Sequence, residues 1–269
     1  MHLRRLLRDA LILGSHYSSK AFSKKSGARV IVIHDVKDAF KFREKMVWLT
    51  EHYQMVKLDI LLHHTPTEKP PLALTFDDGY LCWYEKAAPI LESLNIPATF
   101  FVCSGLVGLR GEKARQFVRL RAGRGQDLKP LTKDQLIYLA NNPLFEIGSH
   151  TKNHTDLGKE TEREKLTSEV GGDRMQLEDW IGRPIRWFAY PFGMRSNISH
   201  RAKAYVESLG FEGAFTIIPG FIRPLSDRSM LYRDSLDVTD SASLWRAWLN
   251  GSYDRVYHWK ERWITDSRL

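Results

Sequence analysis

Cysteine is nearly absent from this sequence. Two thiols in 269 residues, Cys82 and Cys103, imply no disulfide framework and are consistent with a reducing compartment. Long apolar runs are also missing near the start: the basic opening, residues 1–25, has the short apolar core Ala10-Leu11-Ile12-Leu13, well below the roughly 20 residues that cross a bilayer. Asp9 precedes that core and no small-residue cleavage site follows it, so the segment makes a poor secretion signal and a cytoplasmic location is expected. An amphipathic helix with Leu3, Leu6, Leu7 and Leu11 on one side fits the opening, suited equally to lying on an anionic membrane and to packing on the globular part. Nucleic-acid motifs are lacking too. The net charge of +8 therefore points toward a membrane surface or an acidic glycan as the anionic partner. Hydrophobic residues make up 43%, the ordinary share for a folded protein, and the length suits one α/β domain better than two.

The chain is organised around Leu74-Thr75-Phe76-Asp77-Asp78-Gly79-Tyr80. Residues 71–76 read as a buried parallel strand, and Gly79 gives the freedom a sharp exit turn needs. The two acids then stand at the carboxyl end of a strand, where α/β sheets and barrels place their chemistry. Adjacent carboxylates repel each other, and one would hold its proton unless a cation lies nearby. A second stretch, Glu146-Ile147-Gly148-Ser149-His150-Thr151-Lys152-Asn153-His154, reads as another strand tip followed by two histidines. A helical turn after Ser149 would put His150 and His154 on one face, roughly 5–6 Å apart at Cβ. Two imidazoles and one carboxylate make a three-ligand site with an open position, the pattern of a catalytic divalent ion. A third stretch, Arg186-Trp187-Phe188-Ala189-Tyr190-Pro191-Phe192-Gly193, combines aromatics that can wall a groove with a Pro-Gly turn.

In this order the three stretches resemble the NodB-type polysaccharide deacetylases, carbohydrate esterase family four, over residues 28 to about 238. The resemblance implies a distorted, incomplete (β/α) barrel that uses a divalent metal to remove acetyl groups from acetamido sugars. It implies Asp78, His150 and His154 as metal ligands, Asp77 as general base on the attacking water, and the backbone N–H of Phe192 as an oxyanion donor. Zinc is the default ion, and an Asp-His-His site also accepts cobalt, nickel or iron. The expected substrate is an acetylated amino-sugar glycan, anionic or lipid-linked, and nucleic acid is not an expected partner.

Two of the chain's departures from the family pattern matter most. Ala189 stands where an arginine usually pairs with the base, and Arg233, in the strand-like run 230–234, is the candidate substitute. The family's fourth motif is matched loosely, by residues 234–237. The late Leu-x-His strand that supplies the general acid is missing, whereas Arg29-Val30-Ile31-Val32-Ile33-His34 opens the globular part. This resembles the circularly permuted members, in which the closing strand lies at the N-terminus and His34 would protonate the departing amine. His258 is the rival, and His63-His64 reads as peripheral. An O-deacetylase on the same scaffold, and a glycan-binding module with impaired catalysis, are the alternatives.

The expected organisation is a basic segment, 1–27, and a single deacetylase-like domain, 28–269. Helices are expected over 38–53, 84–94, 132–142, 159–180 and 199–209, with strands over 96–102 and 213–218; strands alternating with helices are the signature of a parallel sheet. Residues 105–130, with Arg110, Arg115, Arg119, Arg121 and Arg124, read as a basic flap on the substrate or as a solvated helix and loop. Trp245, Trp248, Trp259 and Trp263 suit amphipathic helices that pack on a core or face a membrane boundary.

Overall fold

The computed structural model describes residues 27–63, 68–120, 122, 128–159, 162–254, 256 and 257. Most of the basic opening, His64, Arg121, Arg124, His258, Trp259 and Trp263 lie outside the described residues.

Eight strands form one sheet: β1 (Arg29–Ile33), β2 (Gln54–Met55), β3 (Pro71–Asp78), β4 (Ala98–Val102), β5 (Phe145–Ser149), β6 (Trp187–Ala189), β7 (Gly213–Phe215) and β8 (Asp234–Ser235). Their order is β7-β6-β5-β4-β3-β1-β8, with β2 beside β3, and every strand pairing is parallel. The two ends of this order approach each other. Phe215 of β7 makes a parallel bridge to Leu231, three residues before β8, so the sheet curls into the expected incomplete (β/α) barrel. The N-terminal strand β1 lies between β3 and β8, in register from Arg29 opposite Leu72 to Ile33 opposite Phe76.

Alternation along the strands separates two cores. Leu72, Leu74 and Phe76 of β3 face outward to the helices, where Phe76 stacks on Phe100 at 5.0 Å and Trp83 meets Phe100 at 5.2 Å. Replacing a buried aromatic such as Phe76 with alanine costs about 3–5 kcal/mol. Ala73, Val30, Phe101, Ala189 and Phe215 fill the barrel interior. Gly148 is required there, because a Cβ would run into the Phe101 ring. The inward face of β3 continues Ala73, Thr75, Asp77, and this alternation delivers a carboxylate to the mouth of the barrel.

The helices are α1 (Ala39–His52), α2 (Leu58–His63), α3 (Ala88–Ser93), α4 (Gly111–Leu120), α5 (Lys133–Asn141), α6 (Arg163–Leu166), α7 (Gly172–Ile181), α8 (His200–Ser208) and α9 (Ala242–Leu249). Their starts follow local chemistry: Asp38, Thr132, Ser199 and Ser241 each accept a backbone N–H of the first turn, and Thr132 with Gln135 forms a full capping box. The helix expected over 159–180 begins later, at Arg163, and a π-helical turn, Thr167–Gly171, interrupts it. A second π-turn, Trp83–Ala87, precedes α3. The strand expected to reach Ile218 stops at Phe215, because the chain leaves the sheet to bond Ile217 N–H to the Gly193 carbonyl at 2.9 Å.

A buried ion cluster joins the start of the barrel to its end. The Arg29 guanidinium donates to Asp234 of β8 at 2.9 and 3.0 Å and to Asp254 beyond α9 at 3.0–3.1 Å, and it lies over the Phe221 ring. Asp234, the first residue of the loosely matched fourth motif, is thereby engaged by Arg29. Burial, together with the neighbouring Asp254 charge, raises its pKa against the opposing pull of Arg29.

Candidate metal centre

Asp78 ends β3 with φ of +96°, and Gly79 follows at +126°. Few non-glycine residues adopt such backbone, and where they do the surroundings hold them there. The turn swings the Asp78 carboxylate toward the mouth of the barrel instead of outward as strand alternation would place it. The Tyr80 hydroxyl donates to Asp78 Oδ2 at 2.7 Å, which leaves Oδ1 turned to the two imidazoles. Asp78 Oδ1 lies 3.6 Å from His150 Nε2 and 3.3 Å from His154 Nε2.

The expected helical turn after Ser149 is not formed. Residues 150–156 make an irregular loop in which Thr151 and His154 have φ of +60° and +52°. The imidazoles meet nonetheless, with ring centroids 5.1 Å apart. The cause lies in α6, α7 and the π-turn between them. The Glu169 carboxylate accepts the Asn153 N–H at 2.9 Å and its side-chain amide at 2.8 Å, while the Glu169 carbonyl accepts Lys152 N–H at 2.8 Å. Asp173, also buried, accepts Ser149 Oγ at 2.6 Å, His150 N–H at 3.1 Å and Ser104 N–H at 2.8 Å. These bonds satisfy the backbone that a helix would otherwise satisfy, and fix the left-handed residues in place. Burial raises Asp173 to about 6 against those donors, whereas at Glu169 the bonds from Asn153 outweigh burial and lower it.

Neither acid was singled out by the sequence reading. The available signal was a carboxylate set in an apolar stripe: Leu166, Val170, Asp173 and Leu177 share a face, all buried.

His150 Nδ1 lies 2.8 Å from the Ala189 carbonyl. A carbonyl only accepts, so Nδ1 carries the proton and Nε2 presents its lone pair to Asp78. Ala189 thus contributes through its backbone, and the guanidinium its side chain cannot supply comes from Arg233. Both Arg233 Nη atoms donate to Asp77 at 2.7 Å, Nη1 also reaches Thr75 Oγ1 at 3.1 Å, and Nε donates to the Thr216 carbonyl at 2.8 Å, all of it buried. Burial alone would raise Asp77. The charge of Arg233, together with its hydrogen bonds, overrides it and holds the carboxyl well below the usual range.

His34 follows Ile33, whose register partner is Phe76, so it comes abreast of Asp77 and contributes to that carboxyl's electrostatics. The Trp83 indole N–H donates to the His34 carbonyl at 2.8 Å and fixes the backbone there. Phe192, at φ +60°, is the middle of a three-residue turn closed by Gly193 N–H to the Pro191 carbonyl at 2.7 Å. Its ring, 39% exposed, meets the His154 ring edge-on at 4.6 Å. Residues 105–130 contain the helix α4, which buries Ala114, Phe117 and Val118 and carries Arg115, bonded to Glu112 at 2.9 Å, on its outer side. His63 is remote, 3.5 Å from Arg228.

The donor set fits a divalent cation. Asp78, His150 and His154 are buried, and one ligand atom from each lies within 4.8 Å of the others. Tetrahedral coordination at about 2.0–2.1 Å puts ligand atoms roughly 3.3 Å apart, close to the two Asp78 separations given above.

The sequence profile of the polysaccharide deacetylase family matches residues 64–214, more than half of the chain. The chain belongs to the polysaccharide deacetylase family. Among relatives of this family member, the uncharacterized protein YlxY of Bacillus subtilis is 30% identical over 158 residues, 57% of this chain and 42% of that protein. A poly-beta-1,6-N-acetyl-D-glucosamine N-deacetylase of Staphylococcus epidermidis is 24% identical over 219 residues, 77% of this chain and 70% of that one. The chain spans less than half of YlxY and 58% of YxkH, a putative polysaccharide deacetylase also from Bacillus subtilis. In fold, it superposes on IcaB from Ammonifex degensii with a TM-score of 0.67 at 21% identity, over 86% of this chain and 98% of that one.

Proposed function

We propose that this family member is a divalent-metal-dependent N-deacetylase that hydrolyses the acetamide of an N-acetylated amino sugar within a glycan. The observation that carries the proposal is the pairing, at one barrel mouth, of a three-ligand set, Asp78, His150 and His154, with a carboxylate, Asp77, that Arg233 keeps ionised.

A divalent ion held there, zinc by default, supplies Lewis acidity, acidifying water and polarising the acetyl carbonyl. Asp77 takes a proton from the attacking water as its oxygen adds to the carbonyl carbon. A carboxylate held this acidic is a weak base, so it suits water whose own pKa has been lowered. The Phe192 N–H donates to the oxyanion that forms, a contribution worth about 3–4 kcal/mol where such donors have been removed. His34 in its protonated form gives a proton to the sugar nitrogen as the carbon–nitrogen bond breaks, releasing acetate and the amine.

The same reading takes β1 as the closing strand of a circularly permuted barrel, which is why the acid would precede the base in sequence. It treats residues 28–269 as one catalytic domain. It also places the protein in the cytoplasm, with the basic opening segment on an anionic membrane beside a lipid-linked or acidic glycan. Among the described residues no helix is long and apolar enough to cross a membrane.

Two variants test the assignment. His150→Ala is expected to abolish metal uptake, and near-normal metal content by elemental analysis would refute the ligand set. His34→Ala is expected to keep the metal and lower kcat by about 10²–10⁴; an unchanged kcat would move the acid elsewhere.

A further inference from the structure

Strand β4 supplies none of the three candidate ligands, yet it runs between the two strands that lead into them. Its last residue, Val102, is in register with Asp78 of β3 on one side and with Ser149 of β5 on the other. The next residue, Cys103, therefore comes abreast of both ligand-bearing tips, and it is fully buried there.

Cys103 reaches the backbone of each candidate ligand residue. Its N–H donates to the Asp78 carbonyl at 3.0 Å, at the turn where Asp78 has φ of +96°. Its Sγ lies 3.2 Å from the His150 carbonyl. A carbonyl only accepts, so the sulfur carries a proton and donates it to that bond. A backbone hydrogen bond from His154, whose φ is +52°, comes to the same sulfur. Backbone in such unfavourable conformations persists where its surroundings hold it, and one small side chain here meets two such residues. The residues on either side of Cys103 act on the same loop. The Val102 carbonyl accepts His150 N–H at 3.1 Å, and Gly105 N–H donates to the Lys152 carbonyl at 2.9 Å, so closely that a Cβ at Gly105 would run into that oxygen.

We propose that Cys103 is a positioning residue for the metal centre. Through the Asp78 and His150 carbonyls and the His154 amide it sets the separation of the three ligand atoms, and with it the affinity and coordination geometry of the ion. Cys103 stays outside the ligand set, which among the described residues is Asp78, His150 and His154. The inference rests on the ligand assignment made above and adds to it a control exerted from a strand that carries no ligand.

The test compares the unaltered chain with Cys103→Ala, which removes the sulfur as donor and acceptor, and with Cys103→Ser, which keeps a hydroxyl in both roles. Zinc affinity is measured by chelator competition, ligand geometry by the visible absorption of the cobalt-loaded protein, and stability by thermal unfolding without metal. Cys103→Ala should bind zinc about 10–100-fold more weakly and shift the cobalt spectrum, and Cys103→Ser should restore both. Equal zinc affinity and one spectrum in all three proteins overturn the inference, even where Cys103→Ala melts lower, and leave the ligand assignment standing. Equal loss of affinity in both variants also overturns it, because the hydrogen bonds would then not be what matters. Should Cys103→Ala fail to fold, Cys103→Val, which fills the space without a donor, takes its place with the same expectations. An unaltered chain that takes up no zinc removes the ligand assignment and this inference together.

Discussion

Arg233 meets both oxygens of Asp77 at 2.7 Å in a setting where neither side chain is more than 2% exposed. Removing one partner of a buried pair strands the other charge, at a cost of about 3–5 kcal/mol. Because the folded pKa of Asp77 is depressed, its stabilising contribution is present above the unfolded value and is lost as pH falls through the folded one. In Arg233→Met, burial acts on Asp77 without its main opponent, so the carboxyl takes up a proton at higher pH. The acid limb of the kcat/KM profile should therefore move to higher pH, and the variant's loss of stability should shrink on mild acidification, as the stranded carboxylate is neutralised. An unmoved acid limb, measured from pH 4 to 8, would separate Arg233 from the base. At this scale much of the site was legible, because Asp77, Asp78, His150 and His154 carry chemistry in their residue types and cluster at strand tips. The Arg233 pairing could be named only as a candidate, since 156 residues separate it from Asp77. Asp173 escaped notice because an acid in a helix ordinarily faces solvent, and its three donors come from the end of β5 and two loops that only the fold assembles.

The element that shapes the metal loop is the helix pair α6 and α7 with its intervening π-turn, a feature that recurs at functional sites. Glu169 and Asp173, four residues apart, hold the loop from Ser149 to Thr155 against its backbone preferences. Asp173→Asn replaces one acceptor oxygen with a donor facing Ser149 Oγ and His150 N–H, and leaving such buried groups unpaired costs about 1–3 kcal/mol. The expected outcome is a lower melting temperature together with weaker metal affinity in chelator competition, with Glu169→Gln acting in the same direction. Loss of stability with unchanged metal affinity would reduce the pair to scaffolding. Gly193→Ala tests the adjoining turn: its φ is +55°, and a Cβ would approach Ile217 N to 2.7 Å. Turnover should fall while metal affinity holds, since Phe192 is displaced and the ligands are not; unchanged turnover would remove the Phe192 turn from the reaction. Helix starts were legible from their caps, Thr132 with Gln135 most plainly. The π-turns were not, because one extra residue in a turn leaves the apolar spacing almost unaltered. The helical turn proposed for His150 and His154 failed for a related reason, since spacing of four suits a helix and a loop equally until the partners of the backbone are known.

For the molecule as a whole, the curled sheet brings strands from both ends of the described chain together, and the Arg29 cluster ties them. Arg29→Met would leave Asp234 and Asp254 facing each other without their cation, at about 3–5 kcal/mol, or a melting temperature lower by on the order of 10 °C. A change within a degree or two, by calorimetry, would mean that the closure does not depend on this cluster. Parallel architecture was legible in the alternation of strands and helices, while the order of strands was not, because the neighbours of β1 are set by contacts with residues more than 40 positions away. The most direct test of the account is acetate release from N-acetylglucosamine oligomers by the intact protein, assayed before and after removal of metal with a chelator and again after adding zinc. The account predicts release that stops with the chelator and returns with the ion. Release that persists undiminished in metal-free protein would contradict it.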